Sequence, residues 1–218
     1  MMEYRKLPHG EEKISVIGMG TSVVGEASAE NVTETVTYAL DHGINYFDMA
    51  GGHASIFPGM GAALKGRRKE AMLQVHFGAD YTSGAYGWNL KLDGVKRSVA
   101  WQLEQLGTDY IDFGFIHCLD EQADLEKYEK NGVLKYLLSM KEQGVVRHLG
   151  LSTHTPALAN RVLDMGIIDM MMFSINPMYL TLEKTASDCV GCGHCDSRCP
   201  FSVKQSERMR EIKAYFGK

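Results

Sequence analysis

Short apolar runs alternate with amphipathic stretches from residue 14 to residue 174. The runs carry apolar side chains on both faces, as strands buried on two sides do. Their alternation with helix-like stretches predicts an α/β fold with a parallel sheet built from βα units. The predicted strands are Ile14–Gly20, Ile44–Met49, Met72–Phe77, Ile111–His117, Val146–Ser152 and Ile168–Ser174.

Capping residues mark the ends of the predicted helices. Ser28 is a preferred N-cap residue, and Gly43 follows the end of the same helix. Pro156 stands where a first helical residue is expected, and its fixed φ suits that position. Two further helices are predicted over Asp93–Leu106 and Val133–Gln143.

The number of βα units limits the architecture. We count six strands with five helices between them, whereas a complete eight-unit barrel typically needs ~250 residues. The sequence therefore contains about two βα units fewer than a complete barrel. The alternation stops at Asn176–Ser187, which predicts one domain over residues 1–180 and a second over residues 181–218. Open sheet edges would favour a homo-oligomer.

Composition and charge narrow the function classes. The chain has 218 residues, 44% of them hydrophobic and 23% charged, and its formal net charge is −4. This balance offers no broad positive field to nucleic acid or to an anionic membrane, so we expect a small-molecule substrate. The first residues lack the apolar core of a secretion signal, and a cytoplasmic protein is expected.

Four of the five cysteines lie within eleven positions near the C-terminal end of the sequence. They form the run C-x2-C-x2-C-x3-C-P, which is the ligand spacing of bacterial ferredoxins. Gly191 and Gly193 allow tight turns between the thiolates. The sequence therefore predicts a small ferredoxin-like segment that binds a [4Fe–4S] cluster. The predicted iron ligands are Cys189, Cys192, Cys195 and Cys199.

Other uses of these thiols stay open. A structural zinc site usually separates two C-x2-C pairs by roughly a dozen residues, and a disulfide framework spreads cysteines along the chain. In two-cluster ferredoxins the fourth cysteine of such a run binds the other cluster, but only one run occurs here. Cys199 therefore folds back onto the same cluster, pairs with a partner chain, or leaves the cluster incomplete. A redox partner protein is a further hypothesis.

Five stretches of the sequence resemble the aldo/keto reductases, and specifically the branch that carries ferredoxin-type cysteines near its C-terminus. They occur in the family's order and cover residues 4 to about 180. Each stretch alone is a weak signal, and together they are specific. The stretches are Tyr4–Leu7, Ile17–Thr21, Gly43–Asp48, Leu106–Asp112 and Gly144–Ser152.

The resemblance implies a TIM-type barrel, here an incomplete one of about six strands, with the active site at the carboxyl ends of the strands. The family uses an aspartate, a tyrosine, a lysine and a histidine there. Asp48 and His117 match the aspartate and the histidine, whereas His53 stands at the tyrosine position and His76 near the lysine position. Because the tyrosine normally donates the proton to the carbonyl oxygen, the usual acid is missing.

The resemblance also implies a nicotinamide cofactor, NADP(H), with Ser152 and Asn176 as the cofactor-binding residues. The family holds the phosphate groups of this cofactor partly through the loops after the seventh and eighth strands. The seventh and eighth units are the two that the predicted six-strand barrel lacks.

The histidines permit a different hypothesis. His53, His76, His117 and His154 all lie at or just beyond predicted strand ends, where, with Asp48, they could bind a divalent metal that activates water. The alternative is that each forms only a local hydrogen bond at the rim. The long connection from Gly78 to Lys91 is expected to cover the site.

Three functions follow in order of preference. The first is an iron–sulfur oxidoreductase whose barrel mouth holds the substrate while the cluster transfers single electrons. The second is a non-catalytic electron carrier or a truncated remnant of a longer reductase. The third and weakest is a metal-dependent hydrolase that uses the rim histidines.

Overall fold

The structure of the protein is a computed structural model that describes residues 2–24, 27–173, 188–193, 196–197 and 204–215. The chain divides into two compact units, Met1–Phe173 and Ser174–Lys218. None of the helices within the described residues has the length and apolar character needed to cross a membrane.

Ten strands and seven α-helices make up the described structure. The strands are β1 (Tyr4–Lys6), β2 (Lys13–Ser15), β3 (Met19–Gly20), β4 (Tyr46–Asp48), β5 (Met72–Phe77), β6 (Ala79–Asp80), β7 (Gly87–Trp88), β8 (Ile111–Ile116), β9 (Val146–Ser152) and β10 (Met170–Met172). The helices are α1 (Ala29–Asp41), α2 (Ile56–Ala63), α3 (Leu92–Leu106), α4 (Gln122–Lys130), α5 (Val133–Glu142), α6 (Pro156–Asp164) and, in the second unit, α7 (Gln205–Tyr215).

The central sheet contains six parallel strands in the order β3-β4-β5-β8-β9-β10, which is also their order along the chain. The sheet curls into a half-barrel. Every residue of β8 is buried, as is almost every residue of β5, because strands in the middle of such a sheet are covered on both faces. The predicted α/β fold with about six parallel strands is therefore confirmed.

The predicted helix caps are also present. The Ser28 hydroxyl accepts a hydrogen bond from the Asn31 backbone N–H at 3.3 Å, and α1 ends just before Gly43, whose φ is +90°. Pro156 is the first residue of α6. The helices predicted over Asp93–Leu106 and Val133–Gln143 correspond to α3 and α5.

The first predicted strand, Ile14–Gly20, is wrong as a single element. Its beginning belongs to β2, which pairs antiparallel with β1, and only its end belongs to the parallel sheet as β3. The chain bends between the two strands, where the Ser15 hydroxyl donates to the Ile17 carbonyl at 2.8 Å. Val16 and Ile17 are exposed, so this apolar run does not mark one buried strand.

Two helices had no clear sequence signal. Helix α2 contains Pro58 and two glycines, which predict a turn rather than a helix. The glycines are needed because α2 lies close to its neighbours: a Cβ on Gly59 would come within 2.7 Å of the Ala29 carbonyl oxygen, and one on Gly61 within 2.2 Å of the Gln105 carbonyl oxygen. Helix α4 is short and mostly polar, so its apolar stripe is narrow.

The last predicted strand, Ile168–Ser174, is shorter in the structure, where β10 begins at Met170. The Asp169 carboxylate accepts hydrogen bonds from the Leu149 backbone N–H at 2.9 Å and from Lys141 Nζ at 2.5 Å. The carboxylate thus accepts from the Leu149 N–H, while the Asp169 N–H donates to the Leu149 carbonyl at 2.7 Å. Ser174 lies outside the described residues.

A buried carboxylate ties three strands together at their amino ends. Asp112, 4% exposed, accepts hydrogen bonds from Arg68 Nη2 at 2.7 Å, Arg147 Nη1 at 3.1 Å and the Leu73 backbone N–H at 3.0 Å. Both guanidinium groups also lie over the Tyr110 ring, at 4.0 and 4.1 Å from its centroid. Asp112 is therefore a structural residue at the end of the sheet opposite to the strand carboxyl ends.

We expect Asp112→Asn to lower the free energy of unfolding by about 3 kcal/mol, because it leaves two arginines without their buried counter-charge. Urea unfolding followed by tryptophan fluorescence measures this. The matched control is Asp109→Asn, at an exposed position nearby, which should change the stability by less than about 0.5 kcal/mol. Equal effects of the two substitutions would contradict the role given to Asp112.

Candidate active site

Three polar side chains lie at the carboxyl ends of three adjacent strands. Asp48 is the last residue of β4, His76 is the last but one of β5, and His117 directly follows β8. Because β5 lies between β4 and β8 in the sheet, it places His76 between the other two side chains.

Hydrogen bonds connect these side chains in a row. Asp48 Oδ1 lies 2.7 Å from His76 Nε2, and His76 Nδ1 lies 3.0 Å from His117 Nδ1. Both imidazoles are buried, at 2% and 5% exposure. The two histidines are therefore shielded from solvent and bonded to each other rather than to water.

The row ends at a tyrosine from the connection between β6 and β7. The Tyr86 hydroxyl lies 2.8 Å from His117 Nε2. Its backbone N–H donates to the Gly52 carbonyl at 3.1 Å, next to an antiparallel bridge between His53 and Ala85. This bridge holds Tyr86 against the segment that follows β4. We call Asp48, His76, His117 and Tyr86 the histidine network.

A second set of contacts fixes Asp48 from the other side. Gln74 Nε2 donates to Asp48 Oδ1 at 3.0 Å, and the Tyr46 hydroxyl donates to Gln74 Oε1. Gln74 is fully buried. Burial, followed by the negative charge of Asp48, raises the pKa of Tyr46 well above its usual value, so its hydroxyl keeps the proton that it donates.

The carboxylate determines where the protons of the network lie. Ionised Asp48 only accepts, so His76 carries a proton on Nε2, and in its neutral form it presents a lone pair at Nδ1. With His76 in that form, His117 donates from Nδ1, and its Nε2 accepts from the Tyr86 hydroxyl. Gln74 Nε2 lies 2.9 Å from His76 Nε2 because both groups donate to the same oxygen.

Burial keeps two members of the network, His117 and Tyr86, uncharged. Burial and then His76 lower the pKa of His117 to about 3, against the smaller opposite effects of Asp48 and Asp120. Burial also raises the pKa of Tyr86. At neutral pH His117 is therefore an uncharged acceptor, and Tyr86 is a protonated phenol.

Buried groups hold the backbone of His117 in place. The His117 N–H donates to the Phe77 carbonyl at 3.1 Å, and the same carbonyl accepts from the Tyr128 hydroxyl at 2.5 Å. Gly78 has a φ of +106°, and a Cβ there would lie 2.3 Å from the Tyr128 oxygen. Glycine is thus required at the position that lets Tyr128 reach this carbonyl.

The other two rim histidines stand apart from the network. His53 is exposed and forms no side-chain hydrogen bond within the described residues. His154 is also exposed, and its Nδ1 lies 2.9 Å from Asp120 Oδ2. Among the described residues no group of three or more histidine, cysteine, aspartate or glutamate side chains is arranged to hold a metal ion. The hydrolase hypothesis therefore has no metal site in the described part of the chain.

Comparison with known proteins decides the family. The sequence model of the aldo/keto reductase family matches residues 16–187. The chain belongs to the aldo/keto reductase family. The uncharacterized oxidoreductase YqkF of Bacillus subtilis is 28% identical over 183 residues, which cover 78% of this chain and 56% of that protein. L-galactose dehydrogenase of Arabidopsis thaliana is 27% identical over 186 residues, with the same two coverages.

Solved aldo/keto reductase structures share the fold. The holo form of aldo-keto reductase AKR11C1 from Bacillus halodurans superposes with a TM-score of 0.69 at 23% identity, covering 86% of this chain and 63% of that one. A putative aldo-keto reductase from Pseudomonas aeruginosa superposes with a TM-score of 0.65 at 24% identity, covering 84% and 73%. The chain thus spans about half the length of the two curated relatives described above.

Within this aldo/keto reductase, sequence reasoning missed three site residues. Tyr46 and Gln74 could have been found, because they lie two positions before Asp48 and His76 and so share their faces of the strands. Tyr86 belongs to the connection that was expected to cover the site, but no sequence signal indicated its contact with His117. It lies in a long connection whose path depends on contacts with a distant segment.

The Ser152 hydroxyl is suited to bind a nicotinamide in this site. Ser152 is the buried last residue of β9, and among the described residues its hydroxyl has only the Cys118 thiol as a partner, at 3.9 Å. Since sulfur is a weak hydrogen-bond partner, this hydroxyl can turn to a carboxamide instead. Asn176, the second predicted cofactor residue, lies outside the described residues.

Two of the four predicted iron ligands belong to the described residues of the second unit. Cys189 is partly buried, Cys192 is exposed, and neither forms a disulfide. Gly191 and Gly193 have φ values of +68° and +70°, the conformation expected for tight turns between metal ligands. The other two predicted ligands, Cys195 and Cys199, lie outside the described residues.

We expect His117 to make the stability of the barrel unit depend on pH. An unfolded histidine binds a proton below its ordinary pKa of 6.5, whereas folded His117 stays neutral down to about pH 3. Lowering the pH through this window therefore favours the unfolded chain, by about 1.4 kcal/mol per pH unit. Urea unfolding at several pH values, followed by tryptophan fluorescence, should show that His117→Gln removes this slope. An unchanged slope in the variant would contradict the neutral assignment.

Proposed function

We propose that the protein is a nicotinamide-dependent oxidoreductase of the aldo/keto reductase type that interconverts an alcohol and a carbonyl compound and carries a [4Fe–4S] cluster. The single observation that supports the catalytic part most strongly is the hydrogen-bonded row of Asp48, His76 and His117 at the carboxyl ends of three adjacent strands. This is the end of a parallel barrel at which active sites occur.

The chemistry asks two things of the protein. A bound nicotinamide supplies hydride exchange, and we propose that Ser152, whose hydroxyl has a weak partner in the Cys118 thiol, holds its carboxamide. The protein itself must move the proton that accompanies the hydride, and buried, aligned imidazoles suit that task. The pairing of a carboxylate with two buried histidines in the barrel mouth thus supports an oxidoreductase.

The substrate class is proposed from the named relatives. L-galactose dehydrogenase of Arabidopsis thaliana and D-arabinose 1-dehydrogenase of Saccharomyces cerevisiae are 27% and 24% identical to this chain. Their names describe dehydrogenation of sugars. We therefore propose a small polyhydroxylated substrate, with the hydroxyl or carbonyl carbon as the reacting centre.

The cluster is proposed for the second unit. Its support is the ferredoxin spacing of the four cysteines together with the left-handed backbone at Gly191 and Gly193. In the same unit, Asp196 Oδ1 and Oδ2 accept hydrogen bonds from the Ser206 N–H and hydroxyl, at 2.8 and 2.6 Å. These bonds join the cysteine segment to the start of α7. We propose that residues 181–218 form this iron–sulfur segment and exchange single electrons with a redox partner protein.

A non-catalytic electron carrier is the second candidate. It is favoured by the ferredoxin spacing of the four cysteines, which suits electron transfer without a nicotinamide. Binding of nucleotides separates the two candidates, because a carrier that uses only the cluster has no need of a nicotinamide site.

Turnover is the direct test of the catalytic proposal. The whole protein, purified without oxygen, should bind NADPH or NADH saturably and should reduce NAD⁺ or NADP⁺ in the presence of D-arabinose or L-galactose. We expect Ser152→Ala to weaken nucleotide binding about fivefold, the effect of about one hydrogen bond. Ser139→Ala, on α5, is the matched control and should bind normally. Absence of binding of both nucleotides would leave the carrier as the better proposal.

Metal analysis tests the cluster independently. Anaerobically purified protein should contain roughly four irons and four labile sulfides per chain. Cys192→Ser should lose most of this iron, whereas Cys118→Ser, the same change in the barrel unit, should keep it. Stoichiometric zinc without iron in the wild-type protein would refute the cluster.

A further inference from the structure

We propose that Tyr86 is the catalytic residue that exchanges a proton with the substrate oxygen, and that His117 and His76 pass this proton to Asp48. The inference rests on the proposed oxidoreductase function and deepens it by naming the proton path. It assigns a catalytic role to a residue outside the positions that the family resemblance identifies.

Exposure selects Tyr86 as the member of the network that touches the substrate. Tyr86 is 46% exposed, whereas His117 and His76 are 5% and 2% exposed. Its hydroxyl is bonded to the outermost buried histidine at 2.8 Å. A substrate in the barrel mouth therefore meets the phenol first, and the histidines act through it as positioning residues.

The position of Tyr86 explains how the site can contain a phenol although residue 53 is a histidine. The Ala54 N–H donates to the Gly84 carbonyl, and the Tyr86 N–H donates to the Gly52 carbonyl, each at 3.1 Å. These bonds flank His53 and hold the two segments side by side. A phenol is thereby supplied from the opposite segment, while the His53 side chain is exposed.

The hydrogen bonds of the network all point the same way. With Asp48 ionised and both imidazoles neutral, Tyr86 donates to His117 Nε2, His117 donates from Nδ1 to His76, and His76 donates from Nε2 to Asp48. Each bond therefore already holds the proton that must move to the next acceptor. The resting network is arranged to take a proton from the mouth, which is the requirement for oxidising an alcohol.

The step balances without charging a histidine. The hydroxyl proton of the substrate moves to the Tyr86 oxygen as the phenol proton moves to His117, the His117 Nδ1 proton moves to His76, and the His76 Nε2 proton moves to Asp48. The substrate C–H hydrogen leaves with its electron pair to an oxidised nicotinamide, and the C=O bond forms. Both imidazoles end neutral in the other tautomer, which avoids a buried imidazolium. Carbonyl reduction is the reverse path and starts with Asp48 protonated.

Substitution kinetics test the catalytic role. Tyr86→Phe should lower kcat at least ~100-fold with little change in KM, because it removes the proton acceptor but little binding surface. Tyr38→Phe, an exposed tyrosine on α1, is the matched control. His117→Gln should also lower kcat, and the double variant should be no slower than the slower single variant, because the residues act as one unit.

The outcomes separate this inference from the proposed function. If the wild-type protein oxidises a sugar and Tyr86→Phe stays within twofold of it, Tyr86 has no catalytic role, although the oxidoreductase stands. If the wild-type protein oxidises neither sugar with either nucleotide, the proposed function fails, and the proton path is decided by a measurement that needs no substrate.

That measurement uses cofactor-free protein with a trifluorotyrosine at position 86, whose phenol ionises more readily than tyrosine. ¹⁵N NMR of the labelled histidines should show the His117 Nε2 resonance shifting as this phenol loses its proton to solvent, because Nε2 then loses its hydrogen-bond donor, while His76 keeps its proton on Nε2 beside ionised Asp48. In Tyr86→Phe the His117 Nε2 resonance should not shift over the same pH range. An unchanged His117 Nε2 resonance while the fluorinated phenol ionises would overturn the proposed path.

Discussion

The contact between the Asp48 carboxylate and His76 Nε2 determines the state of the whole barrel mouth. A carboxylate has only lone pairs to offer, so one proton position after another follows from it, through both histidines to Tyr86. Gln74 donates to the same oxygen and keeps the carboxylate facing inward. If Asp48 were turned away, each imidazole could adopt either tautomer and the direction of the network would be lost.

The strands that carry Asp48, His76 and His117 lie in the middle of the sheet, which fixes the contact between Asp48 and His76. Strands β4, β5 and β8, which carry the network, each have a neighbouring strand on either side. In the described part of the chain, β3 and β10 are the strands of the parallel sheet that pair on one side only. The geometry of the site therefore depends on the middle of the half-barrel. Asp112 braces the same region from the opposite end, where it holds the starts of β5, β8 and β9 together.

The sequence was informative wherever one local rule decides the structure. The spacing of apolar residues and the capping residues identified the parallel strands and the helices α1, α3, α5 and α6. The positions of the strand ends identified Asp48, His76 and His117 as neighbours. It failed where tertiary contacts override the local pattern. Helix α2 is rich in glycine because it packs closely on two other helices, and Tyr86 reaches His117 only through a bridge to the segment around residue 53.

The positions of the protons in the histidine network are tested most directly at the hydrogen bond between His117 and His76. In uniformly ¹⁵N-labelled protein, an N–H···N hydrogen bond between His117 Nδ1 and His76 Nδ1 should give a measurable ¹⁵N–¹⁵N scalar coupling. The proton should be assigned to His117 Nδ1 in the wild-type protein and should be shared between the two Nδ1 atoms when Asp48→Ala removes the acceptor. A missing coupling in the wild-type protein, or a proton on His76 Nδ1, would contradict the control of the network by Asp48.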